Sequence, residues 1–275
     1  MHMQRKWNSG VLFSLLFTLL LAACSSGGGD SAAPVVPAGT AEGLWTGSTT
    51  GTIGGGRTIG GVVLDDGTYW FLYSAVNDPA VMAGALQGNG SPQNGTFASS
   101  NGLYFSNDAP AEKHDVTVTG PYVMQQDLSG TLTFKNAGGG TLAFTSMFDP
   151  EYNVAPDLAN VAGTYPGSVF GFPHTMTVSP TGTITVTTTG GPHRTGSVSD
   201  TGIELGCDFT GTLSPRSQGN VYDISLTPTT NAFMCALGPF DGVAFFDAAI
   251  ADKKIYVLAL NSSRNRVFPF TGTRP

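Results

Sequence analysis

Alternating apolar and polar positions run through most of the chain and predict short β-strands. Within residues 62–73 the turn Asp65-Asp66-Gly67 joins two such runs, and Pro180-Thr181-Gly182 joins two more within residues 176–187. Two strand-like runs around a short turn that contains glycine are a hairpin signal. No window of about eleven residues shows the helical repeat of apolar positions. The pattern therefore favours an antiparallel β-protein.

The first half contains about eight candidate strands, and the second half contains a similar number between residues 162 and 273. Closing such strands into a barrel removes the unpaired edges that an open sheet exposes. We therefore predict an all-β chain with two tandem small antiparallel β-barrels of about eight strands each, or two β-sandwiches. The candidate strands of the first half lie near residues 43–50, 57–64, 68–76, 81–88, 95–100, 115–123, 127–134 and 141–148.

The amino-acid composition and the net charge of the chain exclude some classes of fold and function. The chain has 38 glycines and 17 prolines among 275 residues, which disfavours helical bundles. Only 11% of its residues are charged, and its formal net charge is -7. A net-negative chain has no electrostatic attraction for nucleic acid, so we expect no nucleic-acid partner.

The amino terminus has the organisation of an export signal. Arg5 and Lys6 precede an apolar run over residues 11–23, which is too short to remain as a membrane-spanning helix. The run ends in Leu21-Ala22-Ala23-Cys24, which resembles the lipobox of bacterial lipoproteins. The resemblance implies that residues 1–23 are a signal peptide and that Cys24 is the acylated first residue of the mature chain.

In the sorting rule of Gram-negative lipoproteins, Ser25 after the cysteine implies an outer-membrane anchor, with the periplasmic or outward face left open. Two alternatives remain for this terminus. It is either an ordinary cleaved signal peptide with a coincidental cysteine, or a start site placed too far upstream.

Residues 24–40 are rich in Gly, Ser, Ala and Pro and predict a flexible lipidated tether. A Pro- and acid-rich break over residues 149–158 lies near the middle of the mature chain. We therefore place a first β domain at residues 41–150, a linker at 151–160 and a second β domain at 161–275.

Each half opens with a similar segment, Gly43-Leu-Trp45 in the first and Gly163-Thr-Tyr165 in the second. These segments resemble the start of the first strand in lipocalin-like barrels. The resemblance implies that Trp45 and Tyr165 close the barrel ends and that Arg274 stacks on Tyr165. The alternative is ordinary aromatic packing at a barrel end. Tandem barrels behind a lipobox also resemble, in layout, surface lipoproteins of the transferrin-binding kind.

The cysteines and histidines suggest structural roles. With Cys24 acylated, Cys207 and Cys235 remain as a pair in an oxidising compartment, where a disulfide is expected. The histidines His114, His174 and His193 have no metal-ligand spacing, and Lys113-His114-Asp115 is typical of a solvated loop.

The sequence shows neither a calcium-binding motif nor a known catalytic motif. The pairs Asp65 with Asp66 and Asp247 with Asp252 lack the spacing of a calcium loop. The chain also lacks a nucleophile elbow and a phosphate-binding loop. We expect no catalytic residue, no bound metal and no cofactor.

The segment Tyr69-Trp70-Phe71-Leu72-Tyr73 has large side chains on both faces of a strand. One set therefore either meets the other domain or forms a surface for a partner or ligand. This second interpretation makes Tyr69, Trp70, Phe71 and Tyr73 candidate interaction residues.

Together these patterns predict a non-catalytic binding or interaction module, attached through its lipid to the outer membrane. Its other partner would be an envelope protein or a small ligand. The alternatives are a structural component of the envelope and an unrecognised envelope hydrolase.

Overall fold

The first half of the protein forms a closed antiparallel barrel, which we call the first barrel. The computed structural model describes residues 40–51, 54–108, 112–135, 140–189, 207–229, 238–247 and 253–275. The strands of the first barrel are β1 Gly43–Thr50, β2 Thr58–Val63, β3 Thr68–Ala75, β4 Asp78–Asn89, β5 Ser91–Gln93, β6 Thr96–Ser106, β7 Glu112–Val123, β8 Asp127–Phe134 and β9 Thr141–Asp149.

Closure of the first barrel depends on two pairings. Strand β1 pairs with β9, and β4 pairs directly with β6. The ring therefore contains eight strands, and the short β5 is added beside β6.

The second half forms another closed antiparallel ring, the second barrel. Neighbouring strands pair in chain order, and β10 with β17 completes the ring. Its strands are β10 Gly163–Val169, β11 Phe172–Val178, β12 Thr183–Thr188, β13 Phe209–Pro215, β14 Val221–Pro228, β15 Phe240–Asp247, β16 Lys254–Asn261 and β17 Val267–Thr273.

These rings confirm the predicted fold class, and closure excludes the sandwich alternative. The predicted bounds agree best for β1 and β8. They fail at β6, which continues to Ser106 past an irregular register between Ser99 and Gly102. That irregularity interrupts the alternation on which the prediction depended.

Turn chemistry sets the hairpins that the sequence predicted. Gly67 has φ +81° between β2 and β3, and a Cβ there would lie 2.3 Å from the carbonyl oxygen of Gly90. Asp66 Oδ1 accepts a hydrogen bond from the backbone N–H of Thr68 at 2.8 Å. Position 67 therefore requires glycine for two reasons. Any side chain there would collide with the Gly90 carbonyl, and the left-handed conformation of residue 67 itself favours glycine.

The connection between the barrels contains two short helical turns, a 3-10 turn over Pro150–Asn153 and the helix α1 over Leu158–Val161. Asp149 and Asp157 cap them by accepting hydrogen bonds from backbone N–H groups. Tyr152 in the first turn is buried. Within the described ranges, no helix has the length and apolarity needed to cross a membrane.

The two barrels belong to one compact unit with two apolar cores. One core fills the first barrel, whereas the other fills the second barrel and continues onto the outer face of the first. The first-barrel side chains that belong to this second core are Leu44, Val62, Leu64, Trp70, Leu72, Ala85, Leu103 and Phe105.

Candidate functional site

Strand β3 divides its aromatic side chains between the two cores. Tyr69, Phe71 and Tyr73 point into the first barrel, whereas Trp70 and Leu72 belong to the core shared with the second barrel. All five side chains are buried. The prediction of an exposed interaction surface at Tyr69, Trp70, Phe71 and Tyr73 is therefore wrong, and contact between the halves accounts for the two-sided pattern.

Polar contacts also join the barrels at the edge of this shared core. Arg264 Nη2 donates to Oε1 of the buried Gln87 at 2.5 Å, and Arg216 Nη2 donates to Asp65 Oδ1 at 2.9 Å. Arg216 also pairs with Asp223 at 2.6 Å within the second barrel. These contacts fix one barrel against the other at two separate points.

Beside the shared core, the barrels enclose a cavity of about 270 Å³, which we call the inter-barrel cleft. One wall is the outer face of β1 to β4, and the other is the outer face of β15 and β16. The side chains and glycines that line it include Leu44, Thr46, Thr58, Gly60, Leu72, Ser74, Met82, Asp149, Phe245, Asp247, Lys254 and Tyr256.

Gly60 keeps the first-barrel wall of the cleft open. It lies between Thr46 of β1 and Leu72 of β3 in the sheet register. A Cβ at position 60 would have no other atom within 4 Å, so the missing side chain leaves open space. A side chain at this position would therefore begin in the open space of the cleft.

The opposite wall carries a stack of three side chains. The rings of Phe245 and Tyr256 are cross-strand neighbours, 5.2 Å apart and inclined by 15°. The ammonium of Lys254 lies 4.8 Å from the centroid of the Tyr256 ring, a cation–π contact. The stack gives this wall an apolar surface with a positive charge at one end.

Burial perturbs both polar groups of the stack. It raises the pKa of Tyr256 to about 12, and the nearby carboxylates of Asp247 and Asp149 contribute to the rise. Burial also lowers the pKa of Lys254, which the charge of Asp247 partly opposes. Perturbed groups that converge in a partly apolar cavity are typical of a binding site.

A smaller cavity of about 50 Å³ lies inside the first barrel. Tyrosines cross this interior where glycines face them: a Cβ at Gly84 would lie 1.9 Å from the Tyr73 hydroxyl, and one at Gly88 would lie 2.3 Å from that of Tyr69. Tyr69 hydrogen-bonds Ser99 at 2.9 Å, and Tyr73 donates to the carbonyl of Phe105. The interior is thus mostly filled by aromatic side chains.

Arg57 covers the Tyr73 end of this interior. Its guanidinium lies 5.2 Å from the Tyr73 ring centroid, donates to the carbonyl of Ser74 at 2.9 Å and pairs with Asp108. The Arg57 side chain is buried, whereas Asp108 is partly exposed. Neither residue was selected from the sequence, because a lone arginine in a strand-rich segment has no distinguishing pattern.

The structure places the predicted barrel-closing residues at the strand starts. Trp45 and Tyr165 are fully buried. Arg274 donates to the carbonyls of Ala162 at 2.5 Å and Asn160 at 3.3 Å. Among the described side chains it makes no cation–π contact with Tyr165, so the predicted stack is not observed; Arg274 instead satisfies carbonyls at the end of α1.

The histidine predictions have mixed outcomes. Lys113, His114 and Asp115 lie in β7 and not in a loop. Strand alternation turns Lys113 and Asp115 to solvent, whereas the His114 ring meets Phe134 edge-on at 5.4 Å. His174 is buried in the second barrel, and His193 lies outside the described residues. The described part of the chain has no group of three His, Cys, Asp or Glu side chains placed to hold a metal.

The remaining predicted positions belong to turns or cannot be described. Asp65 binds Arg216 and Asp66 caps the turn, in agreement with turn chemistry. Cys207 is buried, but Cys235, Asp252, Cys24 and the rest of residues 1–39 lie outside the described ranges. The disulfide and the lipidation therefore stay predictions.

Comparison with known proteins adds little to this geometry. No protein-family model matches the chain, and no curated protein shows significant similarity to it. A solved structure from Bacteroides fragilis, provisionally described as an outer membrane protein, aligns over 85% of this chain and 96% of its own with 19% identity. Its TM-score of 0.25 is too low for the match to bear on fold or function.

Proposed function

We propose that this protein is a lipid-anchored, non-catalytic binding protein of the Gram-negative envelope, and that it binds a small ligand in the inter-barrel cleft. The observation that carries the binding role is the cleft itself, which has largely apolar walls and polar groups that include Lys254, Tyr256, Asp247 and Asp149. Cavities of this kind occur preferentially where two compact bodies meet.

The anchoring role is supported by the lipobox resemblance at Leu21-Ala22-Ala23-Cys24 and by Ser25 after it. Acylation of Cys24 would fix the chain to the membrane through buried hydrocarbon. We also propose that Cys207 and Cys235 form a disulfide, as expected for a protein folded outside the cytosol.

Binding by the cavity of the first barrel is less well supported, because that cavity is only about 50 Å³. Binding of another protein through the aromatic strand β3 is disfavoured by the burial of its side chains. Of these three sites, the inter-barrel cleft is therefore the best supported.

The test is to purify the lipidated protein from membranes in mild detergent and to identify co-purified small molecules by mass spectrometry. The blocking variant is Gly60→Phe, since position 60 opens into the cleft. The control is Thr185→Phe on an exposed face of the second barrel. We expect a molecule that accompanies the wild type and the control but not the blocking variant. Equal recovery from all three proteins would contradict the proposal.

A further inference from the structure

The charged side chains of the inter-barrel cleft all lie around Tyr256. Lys254 sits over its ring and is the cross-strand neighbour of Asp247. Asp247 and Asp149 line the same cavity as Tyr256, and their charges contribute to the raised pKa of its hydroxyl. Opposite charges are therefore gathered at one end of a largely apolar cavity.

Two hydrogen-bond donors at this end have no acceptor among the described residues. Within the described part of the chain, the Lys254 ammonium makes no hydrogen bond or ion pair, and its contact is with the Tyr256 ring. The Tyr256 hydroxyl likewise has no hydrogen-bond partner there, and it stays protonated at neutral pH because its pKa is raised to about 12. Both side chains project from the same face of β16. Their natural complement is a carboxylate, since charge-assisted hydrogen bonds to an ionised acceptor are strong.

The carboxylates supply the complementary feature. Asp149 uses Oδ1 to accept a hydrogen bond from the backbone N–H of Glu151 at 3.0 Å, and a carboxylate accepts several such bonds. With Asp247 beside it, this region is favourable for an ammonium group. A ligand with a carboxylate alone would meet two like charges, and one with an ammonium alone would meet Lys254.

Apart from the hydroxyls of Thr46, Thr58 and Ser74, the rest of the cleft is lined mainly by apolar groups. Leu44, Leu72 and Met82 line the first-barrel wall around the open position of Gly60, and Phe245 continues the opposite wall. An apolar side chain there would be removed from water, at a gain of about 25 cal/mol per Å² of buried surface. Among the described lining residues, this side offers no charged partner to a ligand's side chain.

We propose that the inter-barrel cleft binds a free α-amino acid with an apolar side chain, its carboxylate on Lys254 and Tyr256 and its ammonium on Asp149 and Asp247. The inference rests on the proposed function, because it assigns the ligand of the same cleft. It involves binding only, with no covalent step.

Calorimetric titration of the full lipidated protein in detergent tests this assignment with L-valine, L-leucine and L-phenylalanine as probes. For L-leucine, 4-methylpentanoate lacks the ammonium and 3-methylbutylamine lacks the carboxylate. We expect each analogue to bind roughly 10- to 150-fold more weakly than L-leucine, since hydrogen bonds to charged groups are worth that factor. Lys254→Met and Tyr256→Phe should weaken L-leucine binding, and Thr185→Phe should leave it unchanged.

The inference is overturned if none of the three amino acids binds. It is also overturned if either analogue binds as tightly as L-leucine. A co-purified molecule that Gly60→Phe excludes but that lacks amino and carboxyl groups would overturn this assignment while supporting the proposed function. The absence of both a co-purified molecule and amino acid binding would overturn the two together.

Discussion

Trp45 and Tyr165 occupy the same place in the two barrels. The indole Nε1 of Trp45 donates to the carbonyl of Ala41 at 3.0 Å, and the Tyr165 hydroxyl donates to the carbonyl of Val161 at 2.7 Å. Each ring thus bonds the backbone four residues earlier. The two barrels therefore use one device to fasten the chain that enters them.

This relationship predicts the effect of removing a single hydroxyl. Tyr165→Phe leaves the carbonyl of Val161 without its buried donor and should lower the free energy of unfolding by about 1–3 kcal/mol. Tyr256→Phe is the matched control, because its hydroxyl has no hydrogen-bond partner in the described structure, and should change stability by less. Urea unfolding of both variants measures the difference; equal losses would contradict the role of the Tyr165 bond.

The shared core predicts that the barrels stabilise each other. Trp70 is buried against the second barrel, so Trp70→Ala should cost about 3–5 kcal/mol and weaken the coupling between the barrels. Thr119→Ala on an exposed face of β7 should stay within about 0.5 kcal/mol of the wild type. Thermal unfolding monitored by calorimetry should resolve a separate transition for each barrel in Trp70→Ala. A single transition, unchanged from the wild type, would argue against coupling through this core.

Loss of Arg57 should destabilise the protein more than loss of an exposed cation does. Its loss would leave the Ser74 carbonyl and Asp108 without their donor and uncover the Tyr73 ring. We expect Arg57→Met to destabilise the protein by about 1–3 kcal/mol, with the partial exposure of Asp108 limiting the effect. Lys113→Met, at an exposed position of β7, serves as control for loss of a cation in thermal unfolding. Equal shifts in the two variants would remove any special role for Arg57.

His174 predicts an acid-sensitive second barrel. Burial lowers the pKa of His174 below its ordinary value of 6.5, although a hydrogen bond to Phe172 and the charge of Asp208 partly oppose this. The unfolded chain therefore binds a proton more readily, and stability should fall as the pH drops below about 6.5. His174→Gln should flatten the stability profile between about pH 7 and pH 5; an unaltered slope would assign the acid sensitivity to other groups.

The lipid anchor has a simple genetic test. Cys24→Ala should remove the acylation site and make the protein extractable without detergent, whereas Cys207→Ala should leave it in the membrane fraction. Mass spectrometry under non-reducing conditions should show Cys207 joined to Cys235. Membrane retention of Cys24→Ala would contradict the anchor, and unmodified thiols at both positions would contradict the disulfide.

The alternation of apolar and polar residues was sufficient to predict most strands. This two-residue repeat depends only on which face of the strand is buried. It failed where a strand is irregular, as after Ser99 in β6, and where a strand is only three residues long, as in β5. The two-sided pattern of Tyr69 to Tyr73 indicates the shared core, and the mostly apolar β16 carries a similar signal.

The inter-barrel cleft could not be predicted in the same way. Gly60, Asp149 and Tyr256 come from distant parts of the chain, and their proximity depends on how the barrels pack. A glycine in a strand and a tyrosine in another have many structural explanations. Their relation becomes visible only when both walls of the cleft are known.

The most direct measurement is a crystal structure of the protein purified from membranes without refolding. We expect electron density for one small molecule between Gly60 and Tyr256, within hydrogen-bond distance of Lys254. Barrels that do not enclose a cleft, or a cleft that contains only ordered water in the natively purified protein, would contradict it.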